Sequence, residues 1–286
     1  MPGSIFLRVA LVVALLALPG LSRAETKADV VYGQGARSFS LATGSPGELG
    51  LLKVLGETFC ADNDCKLVWR KAGSGQSLKL LKEKAMDMIM VHAPAAEKAA
   101  LSDGWATQRT LLGSNEFFIV GPASDPAGIA GAKDAADAYR RIAQAKAKFF
   151  SRGDKSGTHM KEMSIWSKAG IEPSGDWYVV TKDFMTATLK RAHGEQGYFM
   201  TDSGTWVQEK KLLPNLKILF KGDKYLINTY HALRQPDGAT AGADLAAKFI
   251  TFVASPAGQK IIGTYGEQEY GEGLYNDAAY AKQYDD

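Results

Sequence analysis

The chain has 286 residues, 45% hydrophobic and 23% charged, which is enough to build a sizeable core in one large domain or two smaller ones. These proportions exclude intrinsic disorder, and two cysteines exclude a disulfide-built scaffold. The formal charge of +3 includes Arg8 and Arg23 from an acid-free stretch of 24 residues, and the remaining 32 bases against 31 acids give no net-charge argument for a nucleic acid or a membrane surface.

Arg8 opens onto the apolar run Val9–Leu18, Pro19-Gly20 breaks it, and Ser22-Arg23-Ala24 places small residues where a signal peptidase reads. Residues 1–24 therefore read as a secretory signal peptide cleaved after Ala24. A membrane anchor is the alternative, but the run is shorter than the roughly 20 residues of a bilayer span. No cysteine near the cut offers a lipid anchor. In an exported chain, Cys60 and Cys65 around the polar turn Ala61–Asp64 are expected to form one small-loop disulfide. Their spacing lacks a thioredoxin-like context, and His92, His159, His193 and His231 are scattered, so neither redox nor metal chemistry is expected.

Ser38–Ala42 alternates as a strand and ends in the turn cluster Thr43–Gly47, after which Leu49, Leu52, Leu55 and Phe59 share one helical face. Lys66–Arg70 reads as a strand, Gly73-Ser74-Gly75 leads into a helix carrying Leu78 and Leu81, and Met86–Val91 and Phe117–Val120 read as strands. Past Gly121-Pro122, a helix carries Ala135, Tyr139 and Ile142, and Phe149-Phe150 is a short strand. The Gly-rich turn Ser151–Gly157 then feeds a helix with Met163 and Trp166 that stops at Gly170. Tyr198–Met200, Leu216–Phe220 and Tyr225–Leu233 read as strands, and Leu245, Phe249 and Phe252 as a helical face ended by Ser255-Pro256. Strands alternating with helices predict an α/β protein with mainly parallel pairing.

Thr43-Gly44-Ser45, Gly73-Ser74-Gly75 and Ser156-Gly157-Thr158 each lie between a predicted strand and a predicted helix. At such a junction the first helical amides have no intrahelical acceptor, the dipole presents positive potential, and glycine lets the backbone approach a ligand. One such turn is ordinarily a cap; three in one chain point to convergence on an anion. Arg152 adds a guanidinium fork suited to two oxygens of a tetrahedral oxyanion, with Asp154 able to orient it or merely to pair with it. Ser156, His159 and Glu162 also admit a hydrolase reading, without a recognisable oxyanion-hole motif. The five tryptophans read as core, Lys79, Lys82 and Lys84 as a solvated face, and Met86, Met88 and Met90 as core rather than copper thioethers. His92 follows a strand and can approach a cleft.

Several blocks carry a family resemblance: Ala72–Leu78, Met90–Glu97, Asn115–Ile129, Ser151–His159 with Glu162, Tyr198–Trp206, Asn228–Tyr230 and Ser255–Ile262. Together they resemble the extracellular tungstate-binding proteins of bacterial ABC importers. The resemblance implies a two-lobed type II periplasmic binding fold, each lobe a mainly parallel sheet flanked by helices, joined by crossing strands. Lobe I would comprise residues 28–120 and 226–286, and lobe II residues 121–225. It implies ligand contacts from Thr43 and Ser45, from Ser74 and Gly75, and from Arg152, Ser156, Gly157 and Thr158. The implied function is non-catalytic: periplasmic capture of tungstate or molybdate for an ABC permease in the inner membrane, by a monomer with no cofactor. The first turn departs from the family's TTTS pattern, since Thr43-Gly44-Ser45-Pro46 lacks or moves two hydroxyls. The anion identity stays open among tungstate, molybdate, sulfate, phosphate and an organic acid, and an exported sensor with the same fold is a further alternative.

Overall fold

The computed structural model describes residues 30–285; the expected signal peptide lies outside the described residues. β1 (Val30–Tyr32) and β2 (Arg37–Thr43) lead into α1 (Ser45–Glu48) and α2 (Leu51–Asn63). β3 (Cys65–Lys71), α3 (Ser74–Lys82), β4 (Met88–Val91), α4 (Pro94–Ser102) and the long β5 (Thr107–Pro122) follow. A second series comprises α5 (Ala135–Gln144), β6 (Phe149–Ser151), α6 (Gly157–Ala169) and β7 (Tyr178–Val180). It continues with α7 (Met185–Gly194), β8 (Tyr198–Asp202), α8 (Ser203–Glu209) and β9 (Leu216–Phe220). The chain returns through β10 (Ile227–Arg234) into α9 (Ala243–Ala254), α10 (Pro256–Thr264), α11 (Glu267–Tyr270), β11 (Asn276–Asp277) and α12 (Ala278–Ala281).

The strands form one continuous sheet in the order β1-β3-β2-β4-β10-β5-β8-β6-β7, with β9 and β11 both paired to β5. β3, β2 and β4 are parallel, as are β7, β6 and β8. The strands that join these two groups are antiparallel. β5 changes partner along its length: Thr107 to Glu116 face β10, and Phe117 to Val120 face β8. This makes β5 much longer than the Phe117–Val120 strand expected from its apolar run, because its first half is held by β10 rather than by its own hydrophobicity.

Cores form on either side of that change. One gathers Phe39, Phe59 and Phe249, with ring centroids 5.2 to 5.9 Å apart. The other gathers Tyr139, Phe149 and Trp166 at 4.3 to 5.2 Å. Offset and edge-on rings of this kind add directional attraction to the burial of their large apolar area. α2 follows the expected spacing, with Leu52, Leu55 and Phe59 inside and Lys53 and Glu57 outside. The methionines of β4, Met88 and Met90, are core residues, as is Met86 just before it.

α2 ends where Asp64 adopts a left-handed conformation (φ 46°), and Cys60 bridges this turn to Cys65 with their Cα atoms 4.7 Å apart. Replacing both cysteines with alanine is expected to lower the unfolding free energy by about 2 kcal/mol, the low end for so short a ring. Urea unfolding of the oxidised protein and the double variant checks this; equal midpoints would mean that the turn is fixed without the bridge.

Candidate functional site

The three Ser/Gly turns occupy the ends of β2, β3 and β6, and backbone contacts bring them together. The amide of Ala72 donates to the Thr43 carbonyl at 3.1 Å, tying the first turn to the second. A Cβ added to Gly73 would lie 3.0 Å from the Ser156 Cβ, and one added to Gly75 would lie 2.6 Å from the Lys155 carbonyl oxygen. A Cβ at Gly157 would lie only 2.4 to 2.6 Å from atoms of the His92 ring. Glycine is needed at these positions for close approach rather than for an unusual φ. At the starts of α3 and α6, the Ser74, Gly75, Gly157 and Thr158 amides precede the first intrahelical acceptor and carry the positive end of the helix dipole.

The hydroxyl groups are not equivalent. Thr43 is fully buried; its hydroxyl donates to the Met90 carbonyl at 2.8 Å, and its carbonyl accepts from the Ala72 amide and from Trp69 Nε1. Its proton is thus spent on building the turn. Ser45 opens α1 half-buried. Ser74 Oγ accepts from the His92 amide at 3.2 Å, which leaves its own proton for another acceptor. Ser156 Oγ caps α6 by accepting from the His159 amide at 3.2 Å, and Thr158 is buried in the first turn of that helix.

Arg152 is only 4% exposed. Its Nε and Nη2 donate to Asp154 Oδ2 at 3.1 and 2.6 Å, and its guanidinium carbon lies 5.4 Å from the centre of the Phe184 ring. Asp154 Oδ1 accepts from the Ser156 amide at 3.1 Å. Burial raises the Asp154 carboxyl, but Arg152 and the Ser156 donors outweigh it and hold the group below its ordinary range. The aspartate therefore fixes the guanidinium beside the start of α6. Burial, with Arg152 close by, drives the His92 imidazole down to about 3, so it stays uncharged at neutral pH. Its ring packs on Tyr230 with centroids 4.9 Å apart.

Ser156, His159 and Glu162 do not form a proton relay. His159 Nδ1 accepts from the Lys155 amide at 3.0 Å, while Glu162 turns into the core, accepting from Tyr178 at 2.6 Å and Trp166 at 3.2 Å. A polar chain crosses the joining strands, through residues that lie in the resemblance blocks but were not among the expected ligand contacts. Asn228 donates to Asn115 at 2.8 Å, Asn115 donates to Asp202 at 3.2 Å, and Asp202 caps α8 through Thr205. Phe184 and Lys71 were likewise outside the expected set. Phe184 sits in a polar stretch with no periodicity, whereas Lys71 ends a strand that the sequence did reveal.

A family model described as a PBP superfamily domain matches residues 30–257. The chain belongs to the PBP superfamily. A curated relative, tungstate-binding protein TupA of Peptoclostridium acidaminophilum, is 35% identical over 272 residues, covering 93% of this chain and 95% of the relative. A solved structure titled as the tungstate ABC transporter from Geobacter sulfurreducens is 39% identical with a TM-score of 0.73, covering 81% of this chain and all of that one. Tungstate-binding protein TupA from Desulfovibrio alaskensis G20 is 40% identical with a TM-score of 0.70, covering 85% and 99%. This PBP member thus has the α/β, helix-flanked architecture expected from its sequence, with type II neighbours.

Within the PBP fold, Glu162 of α6 is a buried acid, 2% exposed, whose titration reports on native packing. Burial raises it from an ordinary 4.5 to about 7, against the opposing pull of its Tyr178, Ser151 and Trp166 donors. The folded chain therefore keeps a proton that the unfolded chain has already released, and stability falls as pH rises from about 4.5 to about 7. Glu162→Gln keeps the acceptor oxygen without the ionisation. Between pH 5 and pH 8.5, the unfolding free energy of the wild type is expected to fall by roughly 2 to 3 kcal/mol more than that of the variant. Parallel pH profiles in urea unfolding would refute this.

Proposed function

We propose that this protein is a non-catalytic solute-binding protein that takes a dehydrated tetrahedral oxyanion, tungstate or molybdate, between two lobes and delivers it to an ABC permease of the inner membrane. The observation that carries this reading is the meeting of helix-start turns from both sides of the molecule beside a buried arginine. An oxyanion stripped of water must regain its hydration energy from oriented donors. The amides at the starts of α3 and α6, the Ser74 hydroxyl and Arg152 supply these in a low-dielectric setting, where each counts for more than in water. Ser45, Gly75, Ser156, Gly157 and Thr158 belong to the same proposed shell, while Thr43 acts by holding the first turn in place. Because Asp154 neutralises Arg152, selectivity falls to fixed dipoles and cavity shape rather than to net charge.

The lobes are proposed to divide where β5 changes partner, between Glu116 and Phe117, and on the return between Leu226 and Ile227. The proposed outward division is slightly earlier than the one after Val120 expected from the sequence, and the proposed return is one residue later than the one after Tyr225. Anion contacts from both lobes would favour the closed arrangement, a hinge transition biased by differential affinity. The names of the relatives support the anion class, and the proposed export through residues 1–24 suits a periplasmic monomer working with a permease.

Calorimetric titration of protein that has been unfolded, stripped and refolded tests the reading. Tungstate and molybdate are expected to bind below the micromolar range, with sulfate and phosphate at least about 100-fold weaker, a gap of roughly 3 kcal/mol. Arg152→Ala should weaken tungstate binding by about 100-fold or more, since it removes a buried charged donor. Silence toward all four anions would sink the ligand assignment, and unchanged affinity in a folded Arg152→Ala protein would sink the site.

A further inference from the structure

Phe184 stands between two ion pairs, Arg152–Asp154 and Lys71–Glu48. Its loop is fastened to the strand that leads to Arg152: the Thr181 amide and hydroxyl both donate to the Ser151 carbonyl, at 2.9 and 3.1 Å. Phe184 itself caps α7, its carbonyl accepting from the Thr188 amide at 3.0 Å. Ring and guanidinium therefore move as one body. Lys71, at the end of β3, comes from the other side, and its Nζ lies 4.0 Å from the centre of the same ring. It is aimed there by Glu48 of α1, paired with it at 2.8 Å, and both side chains are 20% exposed. Phe184 is itself half-buried, so it is not simply part of a core.

We propose that Phe184 is a latch for lobe closure, with Lys71 as its catch. A cation over an aromatic face gains most when it is partly desolvated, as this ammonium is. The Arg152–Phe184 contact lies within one lobe and survives opening, whereas the Lys71–Phe184 contact crosses the cleft and exists only when the lobes meet. The same ring steadies Arg152 and receives Lys71, so the residue that orients the anion's proposed partner also reports whether the cleft is shut. Phe184 is thus a positioning residue: it touches no anion oxygen in this proposal and acts on how long the anion stays. The inference rests on the two-lobed anion-binding reading given above.

Stopped-flow tryptophan fluorescence on the refolded full chain, with tungstate as the probe, measures association and release separately. Phe184→Leu and Lys71→Met are each expected to speed release by about 3- to 10-fold with little change in association. The double variant should release no faster than the faster single one, because both remove the same contact. Lys71→Arg keeps a cation over the ring and should restore slow release. Release rates equal to wild type, or effects that multiply in the double variant, overturn the latch. If tungstate, molybdate, sulfate and phosphate all fail to bind the wild type, the proposed function fails, and small-angle X-ray scattering without added anion decides the latch by itself. A larger radius of gyration in Phe184→Leu and Lys71→Met than in the wild type supports it, and equal radii overturn it.

Discussion

An arginine that is 4% exposed sets the terms for everything built around it. Removed from water, Arg152 needs a counter-charge and a full set of acceptors, because an unpaired buried charge costs several kcal/mol. Asp154 supplies two of the bonds and then hands its other oxygen to the Ser156 amide. A single carboxylate thereby fixes both the arginine and the start of α6. The helix that begins there carries Trp166 into the aromatic core, so the position of the site and the packing behind it are set by the same few bonds.

The neutral character of the surroundings follows from the same constraint. His92 lies close enough to feel the Arg152 charge, and its Nδ1 is shut off from solvent, which keeps its ring uncharged. Asn115 and Asn228 cross beneath without charge, and Asp202 is satisfied by Thr205 and Asn115. The proposed site, so arranged, offers dipoles held in advance rather than a surplus of positive charge. Such dipoles need no reorganisation when an anion arrives, and they lose little to salt because they are shielded from solvent.

The architecture was readable because the apolar periodicities of β2, α2, β3 and α9 coincide with elements that bury a face. The Ser/Gly turns were readable because helix starts have a recognisable chemistry. Less was legible where partners come from far along the chain. The Thr43 hydroxyl looks like a ligand donor in sequence, yet its proton goes to Met90, 47 positions away on the neighbouring strand. The first half of β5 is polar and shows no alternation, since its partner β10 makes it a strand. α4 is alanine-rich and α7 mixes threonine with lysine and arginine, so neither prints a clear apolar stripe. Phe184 gains its significance only once Lys71 and Arg152 are placed over the same ring.

The register at the partner change has a topological consequence. Glu116, the last residue of β5 on its β10 side, sits opposite Ile227, the first residue of β10. The segment between them begins and ends one strand spacing apart, about 5 Å, and it encloses its own aromatic core. In connectivity, the segment is an insertion into a fold whose two ends already touch. The host strands β5 and β10 stay paired across the point where the segment leaves and returns, so the segment can vary in length without re-routing them.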